Sequence, residues 1–267
     1  MDGLDVIDGM NSDQITLGIG EILGTNLHLG SLGASVLFIG GQPGPTQGAD
    51  AAVMAHLVAR FGATEVEYLQ ASAATTADMD GRKLGVLSST PSSSAMRGKW
   101  DQSPVPIMNW EEALMKNSNG DFRMGTSTAK PVTTTINVVD AAHPIMVDAG
   151  LAAGNHVIGG NDERNCPNGT LASGLQGIAE LPSDANCKIL ALFDDGALDL
   201  QNNPVPARRS TFPLTDSSFN GLNATGLQLF DSTISWLLGL LDEIRILLQE
   251  NGFSLLQENG AALLLES

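Results

Sequence analysis

The sequence predicts an α/β domain built on an open, mostly parallel sheet with helices on both faces. Short apolar runs that end in glycine or polar residues recur along the chain, which is typical of strands buried on both faces. Stretches with helical apolar periodicity alternate with them, and this alternation favours a parallel sheet. The chain has 267 residues, of which 42% are hydrophobic, so it can bury the core of one large domain.

The first strand–helix unit is the clearest part of this pattern. Residues 35–41, SVLFIGG, form an apolar run that ends in two glycines and predicts a buried strand. Residues 49–61 predict a helix, because their apolar side chains fall on one stripe, and Gly62 is placed to end it. The stripe consists of Val53, Met54, Leu57, Val58 and Phe61.

The remaining elements of the predicted domain, residues 35–243, follow the same alternation. The further strands are expected at 65–70, 83–90, 105–110, 133–140, 188–194 and 208–214. The further helical segments are expected near 75–80, from Glu111 to about Lys116, and at 225–243.

Residues 1–34 read as an extension of the domain. Glycine recurs in LGIGEILGTNLHLGSLG with short apolar alternation, which predicts an extended arm or a small hairpin.

The last residues, 244–267, predict a β-meander. The chain ends in ILLQENGFSLLQENGAALLLES, with LLQENG at 247–252 and again at 255–260. Asn-Gly between apolar residues is a strong hairpin signal, because a type I′ turn needs positive φ at both central positions. A helix competes for the first part, but the second Asn-Gly breaks the helical period.

Such a meander needs a partner surface. Adjacent leucines of a strand point to opposite faces, so both faces of this sheet are apolar and must be covered. We expect self-association or contact with other proteins through the arm and the meander. The expected assembly residues are Leu247, Leu248, Asn251, Gly252, Leu255, Leu256, Asn259, Gly260, Leu263, Leu264 and Leu265.

Composition excludes several classes of partner. The formal net charge of −17 argues against a nucleic-acid-binding surface, and no apolar run is long enough for a membrane span. The acidic start is unlike a signal peptide. Cys166 and Cys187 are expected to be free thiols, with a disulfide as the alternative if the protein matures in an oxidising place. We expect no cofactor and no metal site, since neither cysteine belongs to a CxxC pair and the histidines are scattered.

Several short pieces carry a resemblance to a known group. In order, they are VLFIGG, ADMDGRKLGVLSSTPSSSAM, VPIMNWEEALM, AAHPIMVDAGL, ARRSTFPL and GLQLFDSTISWLLG. Over residues 35–239 the chain resembles flavodoxin-like domains related to the class I glutamine amidotransferases and the trehalose-utilisation (ThuA-like) group. The resemblance implies a flavodoxin-like fold more firmly than an activity, since many such domains are modules of extracellular proteins. The terminal repeat resembles repeats in structural proteins of tailed bacteriophages.

An amidotransferase of this kind needs a nucleophilic cysteine after a strand and a His–Glu pair to activate it. The corresponding strand end reads VLSSTPSSSAM, with Ser88 and no cysteine, and the pattern is not that of a serine hydrolase elbow. Ser88 is therefore expected in a polar loop that caps the next helix. Glu111 is expected to stabilise a helix start, and His143 to lie at the carboxyl edge as a structural hydrogen-bonding group.

These observations favour a non-enzymatic structural or assembly protein. The leading hypothesis is a virion component of a tailed phage, such as a capsid, decoration or tail subunit, assembled in the host cytoplasm. One alternative is a ThuA-like enzyme or carbohydrate-related binding domain with its site near Ser88, Trp110 and His143. Another is a secreted or cell-surface bacterial module, in which Cys166 and Cys187 would form a disulfide.

Overall fold

A computed structural model describes residues 35–242, 254–257 and 263–266. The strands are β1 (Val36–Gly40), β2 (Val66–Gln70), β3 (Leu84–Leu87), β4 (Ile107–Asn109), β5 (Gly125–Ala129), β6 (Val132–Val138), β7 (Gly154–Glu163), β8 (Cys166–Leu171), β9 (Gln176–Glu180), β10 (Leu190–Phe193), β11 (Arg209–Thr211), β12 (Ser254–Gln257) and β13 (Leu263–Glu266). The α-helices are α1 (Asp50–Phe61), α2 (Ser93–Met96), α3 (Glu112–Met115), α4 (Pro144–Asp148) and α5 (Ala224–Leu237). Short 3₁₀ helices cover Thr76–Met79, Asn117–Asn119 and Ser218–Gly221.

The centre of the domain is a nine-stranded sheet in the order β2-β1-β3-β4-β11-β10-β9-β6-β7. The strands from β2 to β11 are mutually parallel, and each later neighbour pairs antiparallel. Only β10 and β6 of these nine strands therefore run against the others. The prediction of an α/β domain with a large, mostly parallel sheet is confirmed.

Strand β1 shows why the sequence signalled a sheet buried on both faces. All five of its residues are buried. Val36 and Phe38 enter one hydrophobic core, whereas Leu37 and Ile39 enter the other. Because successive side chains of a strand point to opposite faces, an unbroken apolar run supplies both cores at once.

Helices supply apolar side chains to both of these cores. Side chains of α1, α4 and α5, such as Leu57, Ile145 and Phe230, belong to the first core. Met96 of α2 and Leu114 of α3 belong to the second, together with Trp100. Helices therefore cover both faces of the sheet.

The antiparallel half differs from what the sequence indicated. The strands expected at 133–140 and 188–194 form as β6 and β10, but both run against their neighbours. Strands β5, β7, β8 and β9 were not predicted. The sequence of β7, GNHVIGGNDE, is rich in Gly and Asn, which are poor strand formers, and its pairing with β6 comes from tertiary context.

The expectation of free thiols is wrong in this structure, because Cys166 and Cys187 form a disulfide. Cys166 begins β8 and Cys187 precedes β10; both residues are fully buried in the first core. Their Cα atoms lie 5.6 Å apart, across a sequence separation of 21 residues. Sequence spacing alone could not show that the fold brings these two loop ends together.

Two of the three strands of the expected meander lie among the described residues. β12 and β13 form an antiparallel pair with Gln257 opposite Leu263. A two-residue corner at 259–260 would pair Gln257 with residue 262, so the observed register differs by one residue. The first meander strand with Leu247 and Leu248, both Asn-Gly corners and the N-terminal arm lie outside the described residues.

No helix in the described part of the chain is long and apolar enough to cross a lipid bilayer.

Candidate functional site

The carboxyl edge of the parallel strands holds a buried group of polar side chains. Asp50, the first residue of α1, is 1% exposed. One of its carboxylate oxygens accepts a hydrogen bond from Ser88 Oγ at 2.7 Å, and the other accepts one from Thr90 Oγ1 at 2.6 Å. Ser88 and Thr90 directly follow β3, so the group joins the loop after β3 to the helix that follows β1.

Two glycines at the end of β1 make room for this group. A Cβ at Gly40 would lie 2.2 Å from Tyr68 Oη and 2.5 Å from Asp50 Oδ2. A Cβ at Gly41 would lie 2.6 Å from the Thr90 carbonyl oxygen, and the Gly41 N–H donates to Thr90 Oγ1 at 3.0 Å. The absence of a side chain at both glycines therefore allows two loops of the protein to approach each other closely.

Burial sets the electrostatics of this group. Burial raises the pKa of Asp50, although hydrogen bonds from Thr90 and Ser88 oppose the effect. Burial and the nearby Asp50 carboxylate raise the pKa of Tyr68 to about 12. Tyr68 is therefore a neutral phenol at physiological pH, and its hydroxyl donates to the Gln42 carbonyl oxygen at 3.1 Å.

The environment of Ser88 does not match that of an activated nucleophile. The Ser88 hydroxyl donates to Asp50 and accepts from the Thr90 N–H at 3.2 Å. Ser88 is only 1% exposed, and its partners among the described residues include no histidine. Ser88 lies in a polar loop as predicted, but its hydroxyl ties that loop to α1 instead of capping the next helix.

Glu111 lies at the same edge, after β4, and serves the start of a helix as predicted. Its Oε1 accepts from Ser93 Oγ at 2.9 Å and from the Ala113 N–H at 3.1 Å, which caps α3. Burial raises its pKa. Asn165, which the sequence did not single out, donates to the Trp110 carbonyl oxygen at 2.7 Å and fixes the chain just before Glu111.

His143 lies at the opposite edge, so the prediction that it shares the carboxyl edge with Ser88 is wrong. It follows β6, and β6 runs antiparallel to β9 and β7. His143 Nδ1 accepts from the Ile145 N–H at 3.2 Å, which caps α4. Burial lowers its pKa, so the imidazole is neutral at physiological pH.

The amino edge also contains two arginines with different surroundings. Arg208 forms ion pairs with Asp194 and Asp242. Arg209 is 1% exposed and donates instead to backbone carbonyl oxygens, including that of Val105 at 2.8 Å. Burial lowers the pKa of Arg209 to about 10.

A narrow cavity lies beside Arg209, also lined by Arg123, Asp101, Asp121 and Asp199. Its carboxylates are already engaged: Asp199 accepts from Arg123 at 2.9 Å, and Asp121 accepts from the backbone N–H groups of 98–100. In the described part of the chain, no group of three or more His, Cys, Asp or Glu side chains could hold a metal ion. The charged groups around the cavity therefore bind one another and the backbone.

Comparison with known proteins shows a distant structural similarity. No family model and no curated protein matches this chain. The chain is similar in structure to a protein of Bacteroides uniformis described as ThuA-like, with a TM-score of 0.49 and 8% sequence identity. The match covers 76% of this chain and 90% of that protein.

Proposed function

We propose that this chain is a non-enzymatic structural or assembly protein, and that it serves as a virion component of a tailed phage. The main support for the proposal is that the candidate catalytic groups form hydrogen bonds within the fold itself. Ser88 and Glu111 hydrogen-bond within the fold at one edge of the sheet, while His143 caps a helix at the other edge. A nucleophile and its base must lie within hydrogen-bond reach of each other, and these groups do not.

The central domain, in this proposal, is a flavodoxin-like scaffold. Its five parallel strands, counted in chain order, follow the arrangement 2-1-3-4-5 of that fold. In such folds ligands bind outside the carboxyl ends of the strands at the β1/β3 switch point. Here the protein's own Asp50, Ser88 and Thr90 fill that position, which supports a scaffold in place of a cofactor-binding domain.

The C-terminal repeat supplies the assembly contact. β12 and β13 pair over only four residues each, and a short two-stranded sheet has little stability of its own in water. Its sequence places leucines on both faces, so a neighbouring subunit would bury apolar area on either side. This reasoning supports self-association through residues 246–267.

Deleting residues 246–267 tests the proposal. We expect the full chain to form large oligomers in size-exclusion chromatography and electron microscopy, and the shortened chain to remain a folded monomer. A matched control, Leu255→Lys with Leu264→Lys, keeps the chain length and removes two apolar positions from paired strands. A full chain that is monomeric would exclude the assembly role.

A secreted or cell-surface module is the second candidate, and the disulfide favours it. Disulfides persist mainly in proteins that mature in oxidising compartments. Alkylation of free thiols followed by mass spectrometry, on protein taken directly from its native source, separates the candidates. Fully oxidised cysteines in newly made, cell-associated protein would favour export, whereas oxidation only after particle release would favour a virion protein made in the cytoplasm.

A further inference from the structure

The end of helix α5 is held by a stack of three side chains at the amino edge of the sheet. The Trp236 ring contacts the His143 ring, with centroids 5.7 Å apart and planes at 58°. The Arg208 guanidinium lies over the same indole, 4.7 Å from its centroid. Trp236 and His143 are almost fully buried, so the contact between their rings is shielded from water, whereas Arg208 is partly exposed.

Arg208 extends this stack to Asp242, which follows α5. It donates to the Trp236 carbonyl oxygen at 2.6 Å and bonds to the carboxylate of Asp242. A further ion pair joins it to Asp194 at 3.4 Å. The last turn of α5 and Asp242 therefore depend on one side chain that packs against Trp236.

The position of His143 requires an unprotonated Nδ1. This nitrogen accepts a hydrogen bond from the Ile145 N–H, so the ring proton is on Nε2. Protonation would place a hydrogen on Nδ1, which could then no longer accept, and the cap of α4 would be lost. It would also place a second cation against the indole that already contacts Arg208.

The charged groups around His143 oppose one another. Asp140, which precedes it, Asp194 after β10 and Asp242 after α5 favour the imidazolium, whereas Arg208 before β11 disfavours it. Desolvation by burial is the largest effect and lowers the pKa. Neutral His143 therefore contributes stability that is fully present above the ordinary histidine pKa of 6.5 and is lost as the pH falls through its lowered pKa in the folded state.

We propose that His143, Trp236 and Arg208 form a pH-sensitive latch, which fixes the end of α5 and Asp242 at neutral pH and releases them in acid. Any effect of this latch on assembly through the C-terminal repeat rests on the proposed assembly function. The latch itself does not, because its release is a local change within residues 143–242.

Hydrogen–deuterium exchange read by mass spectrometry tests the latch on the intact chain. Protection factors, corrected for intrinsic exchange, are compared at about pH 7.5 and about pH 5. In the unmodified protein we expect a loss of protection, roughly three- to tenfold, in both α4 and the last turn of α5, as removal of one helix cap would cause. His143→Asn keeps a capping acceptor without a titrating ring, so its two profiles should coincide in these segments.

His156→Asn is the matched control for a histidine outside the latch. His156 bonds to the Ala152 carbonyl oxygen and lies on β7, so this variant should keep the acid-induced loss. All three proteins contain the same carboxyl groups, so the difference between the variants isolates His143. An acid response confined to α4 would make His143 an ordinary helix cap, and an unchanged response in His143→Asn would also overturn the latch. The assembly role is judged separately, by the deletion of 246–267.

Discussion

The two edges of the sheet stabilise the same domain with different chemistry. At the carboxyl edge, hydroxyl groups bond to carboxylates: Ser88 and Thr90 to Asp50, and Ser93 to Glu111. At the amino edge, a buried guanidinium bonds to backbone carbonyl oxygens, as Arg209 does. A hydroxyl or carboxyl group can be replaced by a neutral group of similar shape, whereas removing Arg209 leaves several buried acceptors without a donor.

The position of polar residues at strand ends does not by itself identify a functional site, because their hydrogen-bond partners decide whether they are free to bind a ligand. The carboxyl edge has the place and the residue types of an active site, yet its side chains bond to one another. The amino edge does not have the position of an active site. It holds, however, the groups whose removal should lower the free energy of unfolding most. The following predictions test the contrast.

The largest effect is expected from Arg209→Ala. The variant leaves the carbonyl oxygens of Val105, Ala207 and Ser103 without their donor and creates a cavity, so we expect it to lose roughly 3–5 kcal/mol of unfolding free energy. Urea unfolding followed by circular dichroism measures it. Arg208→Ala is the control, because Arg208 is partly exposed and should cost only about 1 kcal/mol. Equal losses in the two variants would contradict the contrast.

The disulfide comes next. Cys166 and Cys187 enclose a separation of 21 residues, for which chain entropy gives a stabilisation of about 3 kcal/mol. We expect the double variant Cys166→Ala/Cys187→Ala to lose that amount, and reductant to lower the unmodified protein to a similar value. Reductant should leave the double variant unchanged. A reductant effect of the same size on the variant would show that the loss has another origin.

The sequence predicted the parallel half far better than the antiparallel half, for a physical reason. Strands β1, β3 and β4 are buried on both faces, so their apolar runs are visible without knowledge of neighbours. Strands β7 and β9 contain Gly, Asn and Glu, and they exist because β6 pairs with both.

The same limit explains which site residues could be foreseen. Ser88 and Glu111 follow predicted strands, so their place at the carboxyl edge was readable from the sequence. His143 also follows a predicted strand, but nothing local indicates that this strand runs in the opposite direction. The burial of Arg209 and the disulfide partner of Cys166 are likewise long-range facts.

A smaller effect, with a defined pH dependence, is expected at Asp50. Burial raises its pKa above the ordinary value of 3.8, so the folded state holds the proton more tightly than the unfolded state. Its contribution to stability is present below pH 3.8 and lost as the pH rises through the raised pKa. Asp50→Asn should remove this pH dependence of stability. Its unfolding free energy should stay within about 1 kcal/mol of that of the unmodified protein.

Asp50→Ala provides the contrast for that measurement. It removes the acceptor of both Ser88 and Thr90, so it should be destabilised by about 2 kcal/mol near pH 7. Like Asp50→Asn, it should lack the pH dependence that the Asp50 carboxyl group causes. Unfolding free energies of the three proteins, measured from about pH 4 to about pH 8, give both answers. If Asp50→Asn kept the full slope, another carboxyl group would be responsible.

The smallest effect is expected at Glu111, and it separates a helix cap from a functional carboxylate. Glu111→Gln keeps an acceptor for the Ser93 hydroxyl and the Ala113 N–H, so its unfolding free energy should change by less than about 1 kcal/mol. Ser93→Ala removes one of the two donors and should cost a similar amount. If Glu111 only caps α3, both variants should assemble like the unmodified chain. Unchanged stability with lost assembly in Glu111→Gln alone would show instead that the carboxylate charge contacts a partner, and the carboxyl edge would then be a functional surface.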